Sequence, residues 1–308
     1  MSNQKGGVGK TTTAVNVAAA LAEGGLPVLV IDLDPQGNAS TALGMNPHSA
    51  DQLGIYDVLI DGVPLIRTVQ ACPHVPTLWC APATVDLAGA DIELVTRDTR
   101  EHLLRVAIDG LRSRLLQFRR ATPEYVIIDC PPSLGLLTIN ALTAADDILI
   151  PIQCEYYALE GLTQLMRTVS LVRAGLNPRL ELCAILLTMF DGRTRLAAQV
   201  ADEVRQHFPG RVLTRTIPRS VRISEAPSYG QTVLTYDPGG VGAFAYREAA
   251  AELAHRLAAG SGDRPARHAD PDPAAGSGTI DPQGSHAPRS AAADSGMSDS
   301  RTDGDELK

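Results

Sequence analysis

An α/β fold, with a doubly wound and mostly parallel sheet flanked by helices, is what this sequence predicts, and three observations carry it. Short apolar runs alternate with longer amphipathic stretches over most of the chain, the pattern of strand–helix–strand units. The runs at 28–33 and 125–128 are continuously apolar and rich in β-branched residues, which suits strands buried on both faces. A glycine-rich stretch, Gln4-Lys5-Gly6-Gly7-Val8-Gly9-Lys10-Thr11-Thr12, opens directly into a helical pattern.

The elements follow in order. Residues 12–23 place Ala14, Val17, Ala18 and Leu21 on one helical face, and Gly24-Gly25 ends that helix. Strands are expected at 28–33, 78–80, 125–128, 148–152, 182–188 and 212–217, with helices at 99–118, 134–144, 159–174 and 196–207 between them. A last helix, 243–258, brings Tyr246, Ala250, Leu253 and Leu257 to one face, the spacing of a helix docked on the sheet. The folded domain is expected to span 1–259. From 260 to 308 the composition turns to Gly, Ser, Ala, Asp and Pro, too poor in apolar residues to repay ordering, and a disordered acidic tail is expected. Only Met1, Ser2 and Asn3 precede the glycine-rich loop, too few for the strand that normally feeds such a loop. The expected explanation is a start lying upstream, the alternative a crippled nucleotide site.

At 308 residues and 44% hydrophobic, the chain is long enough for a large core. A net charge of −8 makes any nucleic-acid surface a local patch. No apolar run approaches the ~18 residues of a membrane span and no signal-peptide pattern opens the chain, so a cytoplasmic protein is expected. The five cysteines (72, 80, 130, 154, 183) lack C-x-x-C spacing. Cys130, Cys154 and Cys183 sit in strand-like contexts and read as small buried hydrophobes, whereas Cys72 and Cys80 flank a Pro-rich piece open to exposure.

The loop carries the first chemistry. Glycines 6, 7 and 9 let the backbone turn tightly and aim N–H groups, Val8 included, at an anion seated on a helix N-terminus. Lys10 supplies charge for the β- and γ-phosphates, Thr11 a hydroxyl for Mg²⁺, and Thr12 continues the cradle, so ATP and Mg²⁺ are the expected ligands. Against the pattern G-x-x-x-x-G-K-[ST], Gln4 replaces the first glycine and Lys5 adds a second lysine. That form, Lys5-Gly6-Gly7-Val8-Gly9-Lys10-Thr11, resembles the deviant Walker A motif of the ParA/MinD ATPases, a group of P-loop NTPases. The resemblance implies that Lys5 reaches the partner's nucleotide in an ATP-sandwich homodimer.

Two aspartates stand where an open α/β sheet places its crevice, beyond the strand C-termini. A strand-terminal Asp is often only a turn former. Asp129, in Asp129-Cys130-Pro131-Pro132-Ser133, is similar to the family's aspartate that holds Mg²⁺ through water. Asp34, in Asp34-Pro35-Gln36-Gly37-Asn38, is similar to the aspartate that positions or deprotonates the attacking water. The family's hydrolysis is slow and partner-stimulated, and works as a timer.

Charge is the third feature. From 193 to 222 seven arginines (193, 195, 205, 211, 215, 219, 222) face two acids, Asp202 and Glu203. Such a patch suits sequence-independent phosphate contacts; a solvated helix face with strand-end charges would look alike. The segments at 191–194 and 217–228 resemble chromosomal ParA (Soj) proteins, which implies that Arg193 and Arg222 bind nonspecific DNA and sets Pro218 near the adenine. The resemblance runs from about residue 3 to 258 and includes 155–161 and 174–178. It implies a nucleoid-associated ATPase that works with a ParB-type partner to segregate a chromosome or plasmid. Rival readings are a MinD-like membrane-associated regulator, disfavoured by an Ala-rich last helix with balanced charge; an iron–sulfur reductase, lacking its cysteine pair; a pseudo-ATPase; and an orphan ParA with another cargo.

Overall fold

The structure, a computed structural model, describes residues 1–3, 5–46, 52–156 and 158–261. Gln4, Tyr157 and the tail from residue 262 lie outside the described residues. In chain order the elements are α1 (Lys10–Glu23), β1 (Val28–Asp32), α2 (Asn38–Ala42), α3 (Ile55–Leu59), β2 (Gln70–Ala71), β3 (Leu78–Ala81), α4 (Leu87–Glu93), α5 (Leu103–Gln117), β4 (Tyr125–Asp129), α6 (Leu136–Ala144), β5 (Asp147–Gln153), α7 (Ala158–Gly175), β6 (Glu181–Thr188), α8 (Arg195–His207), α9 (Val221–Glu225), α10 (Val233–Tyr236) and α11 (Val241–Ser261).

Strand β1 is buried along its whole length, from the apolar Val28–Ile31 to the terminal Asp32, as a strand covered on both faces must be. Its side chains divide between two cores. Val28 and Val30 join Val17, Leu78 and Tyr246 on the side of α1 and α11. Leu29 and Ile31 join Ile55, Leu104 and Leu137 on the side of α3, α5 and α6. A third core packs α7 and α8 against Ile150, Ile185 and Leu187 of β5 and β6. The expected docking of the last helix is observed: Tyr246, Ala250 and Leu253 are buried.

The expected single sheet is divided into two hydrogen-bonded blocks, β2-β3-β1-β4 and β5-β6, parallel except for β2 at one edge. Residues 1–3 lie at the division. The Met1 amino group donates to Ile128 O of β4 at 2.5 Å, and Asn3 Nδ2 donates to Pro151 O of β5 at 2.7 Å.

Further differences have local causes. The run at 212–217 is not a strand. It meets β6 at an isolated bridge, Ile185↔Val212, and through the Leu213 and Ile217 amides, which donate to Ile185 O and Leu187 O at 2.8 Å, and a second bridge, Phe190↔Pro218, follows just past β6. The helix expected from 99 begins at Leu103, after a left-handed Thr99 (φ 52°). Cys72, just past β2, and Cys80, on β3, are both buried, not exposed, while Cys183 is only half-buried and donates to Ile148 O. Gly260 and Ser261, assigned to the tail by composition, belong to α11.

Candidate active site

The loop before α1 is built from its glycines. Gly7 (φ 76°) and Gly9 (φ 81°) take left-handed backbone that a side chain would strain, and Gly9 caps α1 without a side-chain acceptor for the first-turn amides. Gly6 and Gly7 are exposed, so the crown of the loop is open to an anion. Its base is anchored on both sides. Buried Val8 accepts from Thr188 Oγ1 of β6 through its carbonyl at 2.8 Å. Asn3 Oδ1 accepts from the Lys5 amide at 3.0 Å while its amide holds β5. Met189, left-handed without being glycine (φ 48°), follows Thr188 and faces Gly9.

Under the crown three charged groups converge. Lys10 is buried, and its Nζ donates to Lys5 O at 3.3 Å. Burial lowers its pKa, and the neighbouring carboxylates of Asp129 and Asp34 partly restore it. Asp129, at the end of β4, is fully buried, and neither carboxylate oxygen has a partner in hydrogen-bond geometry. Burial first, then the charge of Asp32, pushes it up to about 7; the nearby Thr11 hydroxyl offsets part of this. Two orphaned carboxylate oxygens beside a half-buried Thr11 fit a cation's outer ligands. Among the described residues no three His, Cys, Asp or Glu side chains form a metal cage, so such a cation would take its remaining ligands from water and phosphate.

Asp34 is buried at the site's edge, where its Oδ1 accepts from Gln36 N at 3.0 Å. Thr12 is half-buried, and its carbonyl accepts from Asn16 Nδ2. Pro218, also half-buried, lies next to Phe190 just past β6, on the side of the sheet end that bears Thr188 and Met189. Lys5 turns away from Lys10 and pairs with Glu155 beyond β5.

Four residues escaped the sequence reading. Asn3 looked like part of a stub, and Thr188 and Glu155 came from distant strand ends. Asp32 did carry a signal, a carboxylate inside a continuous apolar run. It lies opposite Asp129 in the β1–β4 register and is pushed up to about 6 by burial, against hydrogen bonds from Ser40 and Asp34.

The arginine patch is narrower than its count. All seven side chains belong to exposed residues, but Arg205 pairs with Asp202, Arg211 donates to Leu182 O, and Arg215 pairs with Glu248. Arg193 is 90% exposed, and the Asp191 carboxylate accepts from its amide, Nε and Nη2, which holds Asp191 down at about 2. Arg219 lies close enough to Asp191 to lower it further. Arg222 pairs with Glu225 at 3.3 Å and lies over the Tyr236 ring.

A glycine loop with two lysines on a helix N-terminus, and carboxylates at the ends of adjacent parallel strands, define a P-loop ATPase of the deviant Walker A class. Residues 1–182 match the model of a family described as an AAA domain. The chain is 50% identical over 254 residues to the sporulation initiation inhibitor protein Soj of Bacillus subtilis (strain 168), covering 82% of this chain and 96% of that protein. It is 49% identical over 256 residues to the chromosome partitioning protein ParA of Caulobacter vibrioides (strain NA1000 / CB15N), covering 83% and 93%. Among solved structures, cobyrinic acid a,c-diamide synthase from Mycobacterium smegmatis, with bound ADP and magnesium, superposes with a TM-score of 0.71 at 37% identity, covering 84% of this chain and 94% of that one. The chain belongs to the ParA/Soj family of chromosome-partitioning ATPases.

Proposed function

We propose that this chain binds ATP with Mg²⁺, closes into a homodimer, binds DNA without reading sequence, and hydrolyses ATP slowly until a ParB-type partner stimulates it. The observation that carries this reading is the convergence of Lys10, Asp34 and orphaned Asp129 beneath an open glycine crown. Lys10 neutralises the β- and γ-phosphates and Asp34 orients the attacking water. Thr11 and, through water, Asp129 would hold Mg²⁺, which supplies positive charge to the phosphate oxygens. Pro218 borders the adenine, and Lys5 reaches the nucleotide of the second copy. Arg193 and Arg222 contact the DNA backbone, which puts the ATP form on the nucleoid in the cytoplasm.

Partition is favoured over diamide synthesis by the higher identity to the Soj and ParA relatives. It is favoured over a MinD-like membrane role by α11, whose apolar face is buried on α1, with Tyr246 OH 3.5 Å from Thr13 Oγ1. No helix among the described residues is long and apolar enough to cross a membrane. The test is retention on long, sequence-unrelated DNA with ATP, ADP or no nucleotide, at two salt concentrations. Binding that needs ATP and falls steeply with salt is expected. Equal retention in all three nucleotide states would remove the ATP switch.

A further inference from the structure

The apolar run of β1 ends in a carboxylate that the sheet buries completely, and that carboxylate faces the segment bearing Asp34. Asp32 Oδ1 accepts from the Asp34 amide at 3.1 Å. Its Oδ2 accepts from the Ser40 amide at 2.8 Å and from the Ser40 hydroxyl at 2.7 Å. Ser40 Oγ in turn accepts from Ala83 N, just past β3, at 3.1 Å. One carboxylate therefore grips the segment 34–40 at both ends, and the Ser40 hydroxyl ties it to a second strand.

The grip has a local reason. Gly37 begins α2 in left-handed backbone (φ 63°) and offers no side chain to the helix's first amides. An acceptor must come from elsewhere, and Asp32 supplies it from the strand. Between the two attachments lie only Asp34's own turn, closed by Gln36 N on Asp34 Oδ1 and Gly37 N on Asp34 O, and the start of α2. With both ends fixed, the Asp34 carboxylate has little room to shift along the crevice.

We propose that Asp32, acting with Ser40, is a positioning residue for hydrolysis, which holds the 34–40 segment so that Asp34 stands where the attacking water must be oriented. This rests on the role given to Asp34 above. Asp32 itself is turned toward Ser40 and Asp34 N, and touches nucleotide at no step.

Two variants of the full chain separate positioning from charge and from general stability. Ser40→Ala removes one hydrogen bond to Asp32 and the acceptor of Ala83 N, and leaves every charge near the phosphates in place. Asp32→Asn keeps the shape but sets an NH₂ group against the Ser40 amide. Steady-state hydrolysis, ATP affinity and amide exchange over residues 34–44 are measured for each. In both variants kcat is expected to fall between about tenfold and a hundredfold, the scale of misplacing a catalytic group by ~1 Å. KM and Kd for ATP stay within about threefold, and exchange rises at 34–40 while β1 and β4 stay protected.

A Ser40→Ala variant with kcat within twofold of the parent would overturn the proposal. So would losses of kcat, affinity and global protection that rise together. If Asp32→Asn does not fold, Ser40→Ala decides alone. Failure of the underlying reading looks different: a parent chain that binds ATP without turnover, or an Asp34→Ala variant that hydrolyses normally.

Discussion

Lys5 Nζ lies 2.5 Å from Glu155 Oε2, so the front lysine of the loop is held by the end of β5 rather than by its own loop. In the proposed dimer Lys5 must leave Glu155 for the second nucleotide. Both side chains are more than a third exposed (40% and 46%), so the pair is worth only ~0.2–1 kcal/mol. Closing the homodimer breaks this pair in both copies, so Glu155→Gln should tighten the ATP dimer by up to about thirtyfold. Sedimentation equilibrium in an Asp34→Ala background, where nucleotide persists, reads this directly. An unchanged dimer constant would mean that the pair does not oppose dimerisation.

Asp34→Ala should keep ATP affinity while lowering kcat by at least about a hundredfold, the usual scale for losing a general base. The structure gives a reason for the split. In the proposed site the charge facing the phosphates comes from Lys10 and the loop amides, while Asp34 spends one carboxylate oxygen on Gln36 N at the site's edge. Such a variant should stay on DNA with ATP long after the parent has been released. Normal hydrolysis would take Asp34 out of the mechanism, and weaker ATP binding would make it a binding residue.

Stability without ligands should fall as pH rises through neutrality. Asp129 is pushed up to about 7 and Asp32 to about 6, each chiefly by burial, from an ordinary value of 3.8. Between about pH 4 and 7 the folded state keeps protons that the unfolded chain has released, so unfolding becomes easier as pH increases across that window. Asp191, held at about 2, acts the other way, but its contribution is lost only below the ordinary carboxylate range and does not enter this window. The melting temperature at pH 5 should exceed that at pH 8 by several degrees, of order 5 °C. Mg²⁺ with ATP should narrow the gap by supplying the missing positive charge. Asp129→Asn should reduce it too, and a gap unchanged in that variant would assign the pH dependence to other groups.

Much of this was legible in the sequence because the strongest signals were local. Continuous apolar runs gave β1, β4, β5 and β6 to within a residue or two, and helical periodicity gave α5 to α8 and α11 with slightly shifted ends. Asp34 and Asp129 were singled out by position, since a strand end in an α/β sheet is also the edge of the crevice. What stayed hidden depends on partners far apart in sequence. Asn3 matters because Pro151 is 148 residues away and yet within 2.7 Å, and Glu155 matters only once β5 is placed beside the loop. The short α2 and α4 had too few turns for periodicity to show. The run at 212–217 passed for a strand because composition cannot reveal that it pairs with β6 only at isolated points.

The arginine patch shows the limit of counting charges, and it yields the last prediction. Arg205, Arg211 and Arg215 are engaged with Asp202, Leu182 O and Glu248, and charge reversal there should cost structure as well as binding. Arg193 and Arg222 are instead 90% and 61% exposed, with carboxylates from their own turns. Phosphate contacts release counterions, so each lost contact should lower the salt slope of DNA binding by about one. Arg193→Glu with Arg222→Glu should abolish ATP-dependent DNA retention and leave the ATP dimer intact. Asp191→Asn should act oppositely: it frees Arg193 from a competing carboxylate and should strengthen DNA binding a few-fold at low salt, within the range of one exposed ion pair. Retention equal to the parent in the double variant would return both arginines to the solvated surface. An Asp191→Asn variant that binds DNA more weakly would instead make Asp191 the group that orients Arg193.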